Sequence, residues 1–175
     1  RKADLTGASL PSGYLSGNDF RGKVGHLTIF DGINLSGKDL SESNFGHTSF
    51  KNTNLSNTNL RHATFVAADL TDANLTGANL FGAAFAFSNL SGVDMSGAMM
   101  ETTNFHNANL AGINFSEQNI VGSYFGNSDL RNTNFENSDF GGIEGERTIK
   151  NGMGMTVKEI KNNISLFPLV LILNI

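Results

Sequence analysis

The chain has 175 residues, with 20 Gly, 2 Pro, no Cys and a net charge of −4. That length fits one domain, and this Gly and Pro usage excludes a proline-rich disordered chain and predicts many tight turns. The absence of Cys removes disulfides, thiolate catalysis and Cys-based zinc sites, and the absence of a basic stripe argues against direct nucleic-acid binding through phosphate neutralisation.

At the N-terminus Arg1-Lys2 leads straight into Ala3-Asp4-Leu5, with no secretory signal pattern. The chain does not begin with Met, which reads as processing, trimming or a fragment; the cytoplasm is the default expectation. From Leu5 to Phe140 every fifth residue is large and apolar, and 27 of the 28 sites carry Leu, Phe, Met or Ile; only Gly25 breaks the series. A register of this length is a repeat architecture. Five is neither the helical nor the strand period. The chain therefore turns a corner at a fixed interval, presenting the same side chain inward each time.

With the apolar site written i, position i−2 is usually small (Ala63, Ala68, Ala73, Ala78) and i−1 is Asn or Asp in 19 of 28 repeats. Asn and Asp suit corners because their side chains bond nearby backbone amides. Leu5, Leu10, Leu15 and Phe20 form a first coil with no cap, so that end either lacks residues or meets another chain. Gly25 lacks the inward group, and Lys23, Ile33 and Lys38 stand at usually small sites, which predicts a distorted coil or bulged loop over Arg21–Ile33. Val93, Ile113 and Gln118 are milder overfills. Phe45, Phe65, Phe85, Phe105 and Phe125 recur every 20 residues, as stacked coils of four sides require.

Beyond Phe140 the register stops. Gly141-Gly142 and Asn151-Gly152 read as loops. Thr156-Val157-Lys158-Glu159 matches a capping box, which predicts a short helix over 157–164. The apolar run Leu166–Ile175 is too short to span a bilayer. It is expected to help cover the last coil, to form a dimer contact or to lead into a further domain. Two units result: repeat coils over 1–140, and a capping or dimerising segment over 141–175. Homodimerisation is expected through 153–175 or the uncapped first coil.

Stretches such as Ala73-Asn74-Leu75-Thr76-Gly77 and Ala78-Asn79-Leu80 closely resemble the pentapeptide-repeat family, over residues 3–140. The resemblance implies an all-β solenoid: a right-handed quadrilateral β-helix, one pentapeptide per side and four per coil, with i and i−2 inward. Twenty-eight sides make about seven coils and an axis of roughly 34 Å at the inter-strand spacing.

No catalytic constellation is apparent. His62 lies one coil from Glu42, where a solvated pair is expected, and Asp19 and Asp39 are expected to stack as corner residues. Gly17 to Gly22-Lys23 and Gly32 to Gly37-Lys38 half-match a phosphate loop, but Val24 and Asp39 stand where a magnesium-binding Ser or Thr belongs. No column assembles three metal ligands. The expectation is therefore no enzyme, no cofactor and no metal.

Outward apolar residues are the better clue. Phe81, Met99 and Val121 are expected to form a small patch on one side, with Phe87 round the corner and Tyr124 elsewhere. The leading function is a non-enzymatic scaffold that binds a protein partner through its faces. One alternative comes from the resemblance: some family members protect DNA gyrase from quinolones as acidic DNA mimics. Here acids and bases interleave, as in Asp31 above Lys51. The other alternative is the β-helix portion of a larger secreted or lumenal protein.

Overall fold

The computed structural model describes residues 20 and 28–140, together with the backbone of residues 3–4. The segment 21–27 and the expected C-terminal unit, with its helix over 157–164, lie outside the described residues. Two short strands, β1 (Ala3–Asp4) and β2 (Thr28–Ile29), pair in parallel. From there the chain proceeds as single parallel bridges, each 20 residues from the next: Ile29 to Ser49, Asn34 to Asn54, and so on to Asn119 with Asp139. Twenty residues per rung and one bridge every five residues define a four-sided solenoid.

At all but one of the corners from Phe30 to Phe135 the amide of i+3 donates to the carbonyl of i, as Thr53 does to Phe50 and Ala73 to Leu70; at Phe45 the Thr48 hydroxyl donates there. The residue at i+2 has positive φ at all 22 corners from Gly32 to Asn137. Positive φ at the second central residue alone marks a type II turn, which explains the Gly and Asn there. Asn and Asp at i−1 stand on the bridge, just before the corner. Their side chains reach forward to the amide of i+1: Asn74 Oδ1 accepts from the Thr76 amide at 2.9 Å, and Asp94 Oδ1 from Ser96 at 2.9 Å.

Inside, the i residues from Phe30 to Phe140 form one buried column system. The Phe rings of the 20-residue series stack, with centroids 5.0 Å apart for Phe45–Phe65 and Phe65–Phe85 and 5.6 Å for Phe85–Phe105. Leu75 and Met95 are both buried at vertical neighbour positions. The small i−2 site also accepts hydroxyls, because each finds a carbonyl, either one rung away, as Thr58 Oγ1 does at Leu35 O (3.0 Å) and Thr103 Oγ1 at Leu80 O (2.9 Å), or in its own turn, as Ser88 Oγ does at Phe85 O (2.6 Å). Ile33, Val93 and Ile113 are buried in one column, which tolerates the overfill. Lys38 and Gln118 are only half-buried.

The first coil departs from the 20-residue register. Ala3 pairs with Thr28, 25 residues on. The Phe20 amide donates to Asn44 O, and the Phe20 ring stacks on Phe45 at 5.4 Å rather than standing over Leu40. Phe20 to Thr28 is eight residues, against three from Phe45 to Thr48, so one whole pentapeptide is surplus in the interval where the distortion was expected. Asp19, and with it the expected Asp19–Asp39 stack, lies outside the described residues. Asp39 accepts from the Asn59 amide group at 3.0 Å.

Candidate partner-binding surface

Phe81 and Val121 occupy one outward column, and Met99 stands beside it beneath Asn79. Phe81 is only half-exposed: the Arg61 guanidinium lies 4.3 Å over its ring, and His62 meets it edge-on at 5.7 Å. His62 thus faces Phe81, and the described residues show no ion pair between it and Glu42. Glu101 separates Phe81 from Val121 in the column and accepts from Asn119 Nδ2 at 2.8 Å. Met99 is 50% exposed. The side holds these three apolar groups, but polar neighbours interrupt the patch.

The next side, built over Phe45, Phe65, Phe85, Phe105 and Phe125, differs. Its five segments, 43–48, 63–68, 83–88, 103–108 and 123–128, contain no Asp, Glu, Lys or Arg. All fifteen charged residues between 28 and 140 lie on the other three sides. The outward positions are small or amide-bearing: Gly46, Val66 and Ala86 in one column, Thr64, Ala84 and Asn104 in another. Toward the C-terminal end three rings gather. His106 stacks on Tyr124 at 5.4 Å, and Phe87 meets His106 edge-on at 5.8 Å. Phe87 is 60% exposed and Tyr124 44%. His106 Nδ1 is buried without a hydrogen-bond partner. Phe87 and Tyr124 therefore share a side, contrary to the separation expected from sequence. Writing the chain in rows of 20 would have revealed both the uncharged side and the trio.

Models of known families match this chain with pentapeptide repeats, in eight copies, over spans running from residue 28 to residue 143. The chain is a pentapeptide-repeat protein. No curated protein shows significant similarity. Among solved structures, full-length QnrB1, described as a plasmid-mediated fluoroquinolone resistance protein, is 20% identical with a TM-score of 0.50, over 82% of this chain and 87% of that one. Rfr23 from the cyanobacterium Cyanothece 51142 is 22% identical with a TM-score of 0.37, over 70% and 64%. A pentapeptide repeat protein of the Arabidopsis thaliana thylakoid lumen is 28% identical with a TM-score of 0.26, over 77% and 69%. Of these only the likeness to QnrB1 bears on this chain, and at 20% identity it speaks to the fold alone.

Within that fold Phe87 is out of place. Of the fourteen non-Gly residues with positive φ, most are Asn, Asp, Glu or His, whereas Phe87 is a large aromatic at φ 60°. A bulky residue in this region is strained. Strain of this kind collects at functional sites, as do buried unpaired polar atoms such as His106 Nδ1.

Charge on the other sides is largely paired or hydrogen-bonded. Lys51 Nζ meets Asp69 at 3.0 Å, and Arg131 meets Asp129 at 2.6 Å. The Lys51 amide and the Ser49 hydroxyl both donate to Asp31, so this interleaved column is held together by local contacts. The hydroxyl and amide of Ser41 hold the Asp39 carboxyl below its ordinary pKa, and Ser96 does the same for Asp94. Hydrogen bonds and charge from Arg131 lower Asp129. Burial opposes the downward shift of Asp69, but Thr71 and Lys51 outweigh it. Among the described residues no three His, Asp or Glu gather as a metal site, and no helix is long and apolar enough to cross a membrane.

Proposed function

We propose that this pentapeptide-repeat protein is a non-enzymatic scaffold that binds a protein partner through its uncharged side, with Phe87 and Tyr124 as aromatic anchors. Phe87 carries the reading: it is the most exposed large apolar side chain among the described residues, at a corner where Gly or Asn would fold more easily. Exposed aromatics on a rigid, uncharged surface are the usual centres of binding energy at protein interfaces. A crosslinking screen tests the reading by comparing wild type with Phe87→Asn, Tyr124→Asn and, as the rival surface, Phe81→Asp and Met99→Asp. Partners lost only in the first two variants support it. Partners lost only in the second two move the interface to the Phe81 side, and partners kept by all four variants end the reading.

One observation favours a second reading, topoisomerase binding by DNA mimicry. The described segment 28–140 has four Lys or Arg against eleven Asp or Glu, a net charge of 4 − 11 = −7, all on three sides. Mimicry needs dense negative potential along a surface, and pairing of Lys51 and Arg131 dilutes it. A gyrase supercoiling assay with a quinolone decides this; no protection at micromolar protein excludes it.

A further inference from the structure

Rung meets rung through a fixed set of backbone hydrogen bonds. Leu75 donates to Asp94 O at 2.8 Å, Gly77 to Ser96 O at 2.9 Å and Asn79 back to Thr58 O at 2.9 Å, and the same three bonds recur side after side. From Phe30 to Phe140, where both partners are described, the set has one unbroken gap. Gly92, Met95, Gly97 and Met100 do not donate to Ala111, Asn114, Ser116 and Asn119, and Asn114 and Asn119 do not donate back to Val93 and Ala98. The bridges Asp94–Asn114 and Met99–Asn119 are missing with them. Two of the four sides are therefore unzipped along one rung interval. The other two stay joined around it: Phe85 and Leu90 donate to Asn104 and Asn109, and Phe105 and Leu110 to Tyr124 and Asp129.

The side chains supply a cause. One file of inward i−2 residues runs Ile33, Thr53, Ala73, Val93, Ile113, Thr133. Ile33 meets Thr53 and Ile113 meets Thr133, but Val93 and Ile113 meet each other, and both are buried. In the i file beside it, Leu75 and Met95 give way to Phe115, whose ring stacks on Phe135 at 5.1 Å. Extra bulk in a filled interior is relieved by backbone shifts. The column admits Val93 and Ile113 because the backbone parts beside them. The consequence is unusual for a core: Met95 is 1% exposed and Met100 0%, yet neither amide has a partner among the described residues. Local opening of a fold begins where such bonds are absent.

We propose that the β-helix opens and closes at this seam, pivoting on residues 102–110, which remain bonded to the rungs before and after them. The inference stands on the ladder alone and does not need the uncharged side to bind a partner. It does bear on that side. His106 stands on the pivot, Phe87 on the preceding rung and Tyr124 on the following one, so each opening tilts the three rings against one another.

Hydrogen exchange of assigned amides in the full-length protein tests this. Met95, Gly97, Met100, Asn114 and Asn119 should exchange at least about tenfold faster than their bonded counterparts one rung earlier, Leu75, Gly77, Leu80, Asp94 and Met99. The pivot amides of Phe105, Asn107 and Leu110 should stay slow. Val93→Ala places at the seam the residue found at position 73, and Ile113→Thr the residue found at 53 and 133. Either change should close the seam and slow the five amides, whereas Ile33→Ala, in the same file but away from the gap, should leave them unchanged. Protection of the Leu55 and Leu60 amides reports that each variant is folded, and the comparison within the wild type needs no variant. Seam amides as slow as their counterparts overturn the proposal. So do pivot amides as fast as the seam, since the later rungs then unfold rather than swing. Folded Val93→Ala and Ile113→Thr chains with unchanged rates at all five amides overturn it as well. Partner capture that depends on Phe87 in a chain whose seam amides are slow leaves the scaffold reading standing and removes this one.

Discussion

The Tyr124 ring occupies the space that a side chain at Gly126 would need. A Cβ built on Gly126 would collide with the Tyr124 hydroxyl and its ring carbon. Gly126 has no positive φ, so glycine is required there by its neighbour and not by the backbone. The vacated position lets Tyr124 lie beneath His106 and complete the aromatic trio.

Gly126→Ala should therefore swing the Tyr124 ring outward while leaving the coil folded. Because the colliding atoms are the far end of a side chain, the stability cost should be under about 1 kcal/mol, below the usual range for overpacking a core. The Tyr124 ring protons should lose the shift imposed by His106, which a two-dimensional aromatic spectrum reads directly. A large loss in urea stability would mean that the ring is wedged in place.

Phe87→Asn should leave stability unchanged or raise it by up to about 1 kcal/mol. Asn tolerates the left-handed corner, and that relief offsets the lost edge contact with His106, itself worth about 0.5–1.5 kcal/mol. Urea denaturation with the slope held constant measures the change. A loss of more than about 2 kcal/mol would make Phe87 structural, well above the few tenths normal for an exposed site.

Phe85→Ala removes the ring that stacks on both Phe65 and Phe105 inside the tube. Burial and the cavity left behind predict a loss of about 3–5 kcal/mol. Phe85 and Phe87 are two residues apart, so the pair tests which one points inward. A small effect at Phe85 with a large one at Phe87 would invert the assignment of faces.

Acid should weaken the fold in a defined window. The carboxyls of Asp39, Asp69, Asp94 and Asp129 are held below their ordinary values in the folded chain. Groups with depressed folded pKa contribute stability that is present above the unfolded value and disappears as pH falls through the folded one. The melting temperature should stay level from neutral pH down to about 5, then fall below about pH 4, where unfolded Asp takes up protons. Screening weakens each exposed contribution, so the total fall should shrink in high salt. A melting temperature that rises on acidification would contradict these shifts.

The five-residue period belongs to the sequence itself. Large residues at i and small ones at i−2 can all be buried only if the backbone turns between them, so the sides, the inward set and the family were legible without coordinates. The 20-residue rung was legible as well, from the Phe45 series, and Gly25 marked where the register is disturbed. The size of that disturbance was not, because an insertion of one full period keeps the following apolar residues in step; the pairing of Ala3 with Thr28, 25 residues on, decides it. Rows of 20 put Phe87, His106 and Tyr124 on neighbouring rungs, but only the structure turns their rings toward one another, because side-chain direction at a corner depends on the backbone dihedrals there and not on the repeat.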